Sequence, residues 1–229
     1  MEITRRNFLQ ISTATSLTYL LENSAHATPK SDTTDKTRML QRIQEARDTY
    51  NRAPWIHQAL QRVAQQSEYF THAEQTHKVS RFYLAGICMK ETMGVPYLIS
   101  NKGALGIMQV MPGTAEAMGF PPHTIYATKN KSTLTQKSAT KNNILCAAKY
   151  LAYSRNKIVE TYPSKPRSEQ GFMTLAAYAG GLGTLTRIMQ YTPHFSNLPN
   201  TSALHQYVVR VNALTMLVEE NRNLFGFNI

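Results

Sequence analysis

One carboxylate in this sequence stands where a carboxylate is costly. Glu91 follows Leu84, Ile87 and Cys88 at spacings of three, four and seven, so on a helix it shares their apolar face. Burial disfavours the ionised form and raises a carboxyl pKa, which makes such a glutamate a proton donor near neutral pH, a general acid. The competing reading is a helix-end glutamate turned to solvent, since Gly94 and Pro96 stop the helix just beyond it. The residues that follow favour the acid. Gly103 and Gly106 give the backbone freedom for a tight, closely approaching loop. Gln109 and Met111 come next, two residues apart. In an extended segment they share one face, an amide to hydrogen-bond and a thioether to pack, a surface suited to a sugar ring.

Competing chemistries lack their residues. There is no His-Glu-x-x-His, and His72 and His77 are five apart, which does not stack ligands on one helix face. No Gly-x-Ser-x-Gly elbow occurs. Gly180-Gly181-Leu182-Gly183 lacks dinucleotide spacing and a preceding strand, so it is not a phosphate cradle. Neither a metal site nor a cofactor site is expected.

The elements that must position Glu91 read as mostly helical. Thr37 to Arg52 is a polar helix or linker with little apolar periodicity, readable as a flexible arm. Trp55 to Phe70 predicts one amphipathic helix, and Ser80 can cap the helix that ends near Glu91. Pro112 opens a short helix that Gly119, Pro121 and Pro122 close. Thr128 to Lys141, rich in Lys, Thr and Ser, reads as an exposed loop. Helical stripes follow at Ile144, Ala148, Leu151; at Phe172, Leu175, Ala176, Ala179; and at Leu204, Val208, Val211, Thr215, Val218. Alternation is scarce, so the fold class is mainly α, with at most a small β element near Ser100 to Gln109.

Several ordered motifs then converge. Glu91-Thr92, Pro96, Ser100, Gly103-Ala104-Leu105-Gly106-Ile107-Met108-Gln109 and Met111-Pro112-Gly113-Thr114-Ala115 occur in sequence. Asn143-Ile144 leading to Tyr150-Leu151, Ala176-Ala177-Tyr178, and Tyr207-Val208-x-Arg210-Val211 follow. Across roughly residues 54–229 the chain resembles the soluble lytic transglycosylases, lysozyme-like enzymes that cleave the glycan of bacterial peptidoglycan. It departs from the family pattern at Thr92 (usually Ser), Ala147 (usually Gly) and Ala179 (Asn in Tyr-Asn-Ala-Gly).

The resemblance implies a catalytic Glu91 and a glycan-binding set of Ser100, Gln109, Met111 and Tyr178. Ser100 would bond the glycan or orient Glu91, Gln109 and Met111 would line sugar subsites, and Tyr178 would hold the acid or the sugar. It also implies non-hydrolytic cleavage between N-acetylmuramic acid and N-acetylglucosamine, with Glu91 as the lone acid and base and the sugar's own C6 hydroxyl as nucleophile, leaving 1,6-anhydro ends. Ordinary glycosidases use two carboxylates, and no second one stands near this motif. A lysozyme-type hydrolase on the same fold is the alternative, and a non-catalytic wall-binding or secretion-apparatus scaffold is the third reading.

The first 27 residues read as an export signal. Thr4-Arg5-Arg6-Asn7-Phe8-Leu9-Gln10 resembles a twin-arginine motif, followed by a short apolar run and Ala25-His26-Ala27, a small-x-small cleavage site. Residues 28–53 are then a polar linker or N-terminal helix, and 54–229 the transglycosylase-like domain. The expected location is periplasmic or secreted, with no stable membrane insertion after leader removal. The formal charge of +11 survives that removal, because Arg5 and Arg6 balance Glu2 and Glu22. Its basic residues are scattered and no nucleic-acid-binding motif is visible, so the expected polyanion is the cell envelope, not nucleic acid. Peptidoglycan glycan strands are the implied partner, and a protein of the envelope machinery is a further candidate. Cys88 and Cys146 each lie in an apolar helical pattern; export permits a bridge, and buried free thiols are the other reading.

Overall fold

A computed structural model of the chain describes residues 30–192 and 194–227. The proposed export leader, 1–27, lies outside them. The architecture is mainly α. The helices are α1 Lys30–Asn51, α2 Ile56–Ala64, α3 Ser67–His77, α4 Arg81–Thr92, α5 Pro112–Ala117, α6 Thr133–Thr161, α7 Arg167–Gly180, α8 Leu182–Met189 and α9 Ala203–Glu220.

α4 is the central element. Ser80 caps it by accepting from the Phe82 N–H at 3.3 Å, and it ends at Met93 and Gly94, both with positive φ. Leu84, Ala85, Ile87 and Cys88 are fully buried within it. Gly86 permits its close approach to α9: a Cβ there would overlap the Thr215 hydroxyl and lie 3.0 Å from the Thr215 backbone nitrogen. α9 is therefore buried on most of its surface, including Val208, Val211, Thr215 and Val218 as the periodicity predicted.

α1 covers the other side of α9. The segment readable as a flexible arm is a helix docked through Met39, Leu40 and Ile43, which are buried despite its polar average composition. Arg47 adds a two-pronged ion pair to Glu220, with Nε at 2.9 Å from Oε1. Both partners are partly exposed, so its contribution is small, of the order of 1 kcal/mol or less.

Two segment boundaries differ from expectation. Trp55 to Phe70 is not one helix: the chain breaks at Gln65 and Gln66, so that Ile56, Leu60 and Val63 of α2 and Phe70 and Ala73 of α3 reach the core from separate directions. Most of the supposed loop 128–141 is the start of α6. Ser132 caps it through the Thr135 N–H, and its first turns are exposed nearly all round, so no apolar stripe marks them before Ala139. The α7 stripe also shifts, since Ala179 is exposed while Ala177 is buried.

Among the described residues there is no strand. The β element is a pair of isolated antiparallel bridges, Ile99 to Leu105 and Leu105 to Val110, inside the loop after α4. Cys88 and Cys146 are both buried free thiols, held above the usual thiol range by burial, with Cys146 pushed up to about 12.

Candidate active site

Glu91 occupies the last turn of α4, half-buried. Burial raises its carboxyl pKa above the ordinary value, opposed by a hydrogen bond from Tyr207 and by the charge of Lys90. The Tyr207 hydroxyl, from the first turns of α9, donates to Glu91 Oε1 at 2.6 Å. Tyr207 is itself buried, and burial together with the adjacent carboxylate holds its phenol well above the usual range, so it remains a donor. The Lys90 ammonium lies 5.2 Å from the Tyr207 ring centroid, a cation against the face of the ring that grips the acid. Among the described residues, no other carboxylate hydrogen-bonds Glu91 or shifts its pKa. Among the described residues, no group of three or more His, Cys, Asp or Glu side chains could hold a metal ion.

The loop from 98 to 111 is tied down beside this carboxylate by buried polar side chains. Thr92, next to the acid, donates to the Ile107 carbonyl at 2.8 Å. Asn143 of α6, fully buried, accepts from the Met108 N–H at 2.8 Å and donates to the carbonyls of Leu105 at 2.9 Å and Ile125 at 3.1 Å. Gly106 fits because of this clamp: φ is +72°, and a Cβ would come within 2.7 Å of Asn143 Nδ2.

The sequence-predicted binding residues fall around this loop in unequal roles. Ser100 closes its own turn, its Oγ accepting from the Ala104 N–H at 3.0 Å while the hydroxyl proton stays available to donate. Gln109 is not extended as expected; its φ is +51°, a left-handed conformation that costs a non-glycine residue about 1–2 kcal/mol. Its side-chain amide offsets this by donating to the Gly106 carbonyl at 2.8 Å and, more weakly, to the Leu98 carbonyl at 3.3 Å. Gln109 and Met111 therefore do not form the shared face that a two-residue spacing suggested. Met111 is extended and exposed, and Leu98 and Ile99 at the other end of the loop are exposed too. Pro112 starts α5 directly after it.

Tyr178 braces the loop and does not hydrogen-bond the acid. Its hydroxyl donates to the Met108 carbonyl at 2.6 Å, and its ring centroid lies 6.0 Å from that of Tyr150. Glu91 is near enough to raise its phenol further after burial. The tyrosine that grips Glu91, Tyr207, was quoted only as part of a motif. Its signal was weak: a tyrosine on a helix that also carries several other polar residues, whose partner lies 116 positions away.

The family model described as the transglycosylase SLT domain matches residues 68–198, more than half of the chain. The chain belongs to this family. It is also similar to a membrane-bound lytic murein transglycosylase F of Pseudomonas fluorescens, 29% identical over 125 residues, which cover 55% of this chain and 22% of that protein. An X-ray structure of an inactive mutant of the lytic transglycosylase Slt from Pseudomonas aeruginosa aligns with a TM-score of 0.49 and 17% identity, covering 98% of this chain and 38% of that one. The chain thus spans well under half the length of both. Among the described residues, no helix is long and apolar enough to cross a membrane.

The departures of this SLT domain from the family pattern are sterically quiet. Thr92 keeps the hydroxyl that the Ile107 carbonyl uses. Ala147 of α6 is fully buried, its methyl packed into the hydrophobic core. Ala179 is exposed at the end of α7, so the missing asparagine leaves no buried polar gap.

Proposed function

We propose that this SLT domain is a lytic transglycosylase, cleaving the β-1,4 bond between N-acetylmuramic acid and N-acetylglucosamine of peptidoglycan without water. The observation that carries the reading is a half-buried carboxylate, raised by burial and gripped by one tyrosine, with no second carboxylate hydrogen-bonded to it among the described residues. A two-carboxylate glycosidase needs a partner acid across the scissile bond. Here the substrate's own groups take that partner's place.

Protonated Glu91 gives its proton to the glycosidic oxygen as the C1–O bond breaks, with the N-acetyl group of the muramic acid assisting departure of the leaving sugar. The resulting carboxylate, stabilised by the Tyr207 hydroxyl, takes the proton from the C6 hydroxyl as O6 bonds to C1. The ring closes as a 1,6-anhydro sugar and Glu91 is again protonated. Ser100, Met111 and the exposed Leu98 and Ile99 supply a polar and apolar surface for the glycan, and Tyr178 keeps the loop against it. Residues 1–27 direct the chain out of the cytoplasm to that substrate.

The test is Glu91→Gln with digestion of purified sacculi followed by mass spectrometry. The native chain releases muropeptides one water lighter than hydrolysed ends, and the variant releases none. The variant folds: because the carboxyl pKa is raised on folding, the stability it contributes at low pH is lost as pH rises through the folded value. A neutral amide removes that loss, so its unfolding temperature near neutral pH is unchanged or higher. Hydrolysed ends, or undiminished release by the variant, would overturn the assignment.

A further inference from the structure

A second polar cavity lies on the opposite side of α9 from the acid. Tyr207 and His205 are two residues apart, about 200° around the helix. Tyr207 meets Glu91, whereas His205 lines a cavity of about 520 Å³ between α1 and residues 196–201. That volume is in the range of small-molecule sites.

Its charges are unevenly matched. Arg38 is paired with Asp35 at 3.1 Å. Arg42, one turn further along α1 and half-buried, has no hydrogen bond or ion pair among the described residues. His205 is buried and likewise forms no hydrogen bond among them. Burial, and then the charge of Arg42, holds its imidazole below the usual range, so near neutral pH it offers an uncharged N–H. With Asp35 offsetting Arg38, the lining carries a single net positive charge. The Ser196 and Thr201 hydroxyls add donors, while Met39 and Leu198 supply an apolar wall.

We propose that this cavity binds the free carboxylate of a short peptide or acylated amino acid, with the Arg42 guanidinium on the carboxylate and His205 beside it. A planar guanidinium fork matches a carboxylate in two parallel hydrogen bonds. A doubly charged phosphate would be only half neutralised here and would meet Asp35. The apolar wall takes a small aliphatic side chain next to the acid.

Calorimetric titration of the full chain with N-acetyl-D-alanine, N-acetyl-L-alanine, N-acetylalaninamide and inorganic phosphate tests this. At least one of the two acids binds saturably, with the neutral amide and phosphate weaker by about tenfold or more, the scale of one charge-assisted hydrogen-bonding pair. Arg42→Gln reduces acid binding by a similar factor while unfolding temperature and glycan cleavage stay unchanged. Arg42→Lys, which keeps the charge and loses the fork, falls between. Preference between the D and L acids distinguishes wall-derived from ordinary peptides as the source. Absence of saturable acid binding, equal binding of the amide, tighter binding of phosphate, or undiminished binding by Arg42→Gln overturns the proposal.

Discussion

Asn143→Ala probes the part of the site that the fold alone assembles. The side chain is fully buried and makes three hydrogen bonds to backbone, to the Met108 N–H and to the carbonyls of Leu105 and Ile125. Removing it leaves the Met108 N–H and the Ile125 carbonyl without a partner, each unsatisfied group costing about 1–3 kcal/mol, while the Leu105 carbonyl keeps the Val110 N–H at 3.0 Å. Local relaxation makes these costs less than additive, so the expected loss is about 2–4 kcal/mol, as for the break of a buried hydrogen-bond network. At roughly 2–4 °C per kcal/mol for a chain of this size, that is a fall of roughly 10 °C in unfolding temperature. Asn143→Asp is the discriminating companion. It keeps the acceptor for Met108 but, when ionised, faces two carbonyl oxygens with no proton to give. Its carboxyl pKa is therefore raised on folding, so the stability it contributes is present below the unfolded carboxylate value and is lost as pH rises through the folded one. Calorimetric scans from acidic to neutral pH should show the Asp variant approaching the native chain on acidification and the Ala variant failing to do so. A destabilisation under about 1 kcal/mol for Asn143→Ala, or an Asp variant indifferent to pH, would refute the clamp.

Two further perturbations address the acid and the helix pair that carries it. Tyr207→Phe removes a hydrogen bond to an ionised oxygen, worth about 1.5–3 kcal/mol. Glycan cleavage should fall, and because Glu91 loses a contact that lowers its pKa, the alkaline limb of the pH–rate profile should move to higher pH; a reduced rate with an unmoved limb would make Tyr207 merely structural. Gly86→Ala should cost about 1–3 kcal/mol by forcing α4 away from α9 at Thr215. Thr215→Ala should recover only part of this in chemical denaturation, since the Thr215 backbone also lies in the way; a neutral Gly86→Ala would contradict the close approach.

Much of the site was legible because its motifs are local. Glu91 at the end of an apolar helix, the glycines of the following loop and Pro112 at a helix start all depend on neighbours within a few residues. The errors lie where tertiary contacts override local pattern. Of the two readings of the N-terminal segment, helix or linker, the helix α1 holds because Met39, Leu40 and Ile43 dock on α9, which three apolar residues on a polar helix do not signal by periodicity. The first turns of α6 were hidden by solvation on all sides. Gln109 was read as extended, but the loop holds it in a left-handed turn through its own amide.

By itself, then, the sequence determined a mainly α chain with a desolvated acid before a glycine-bent loop, since helical period, capping and turn chemistry are written within short windows. Only the tertiary structure decided which groups meet that acid. Tyr207 and not Tyr178 grips Glu91, and Tyr178 with Asn143 instead fixes the loop. Each of these contacts joins residues at least 35 positions apart, where no local periodicity can register a partner. Two tyrosines on two helices look alike until α4, α7 and α9 are packed, and the packing gives one the carboxylate and the other a carbonyl.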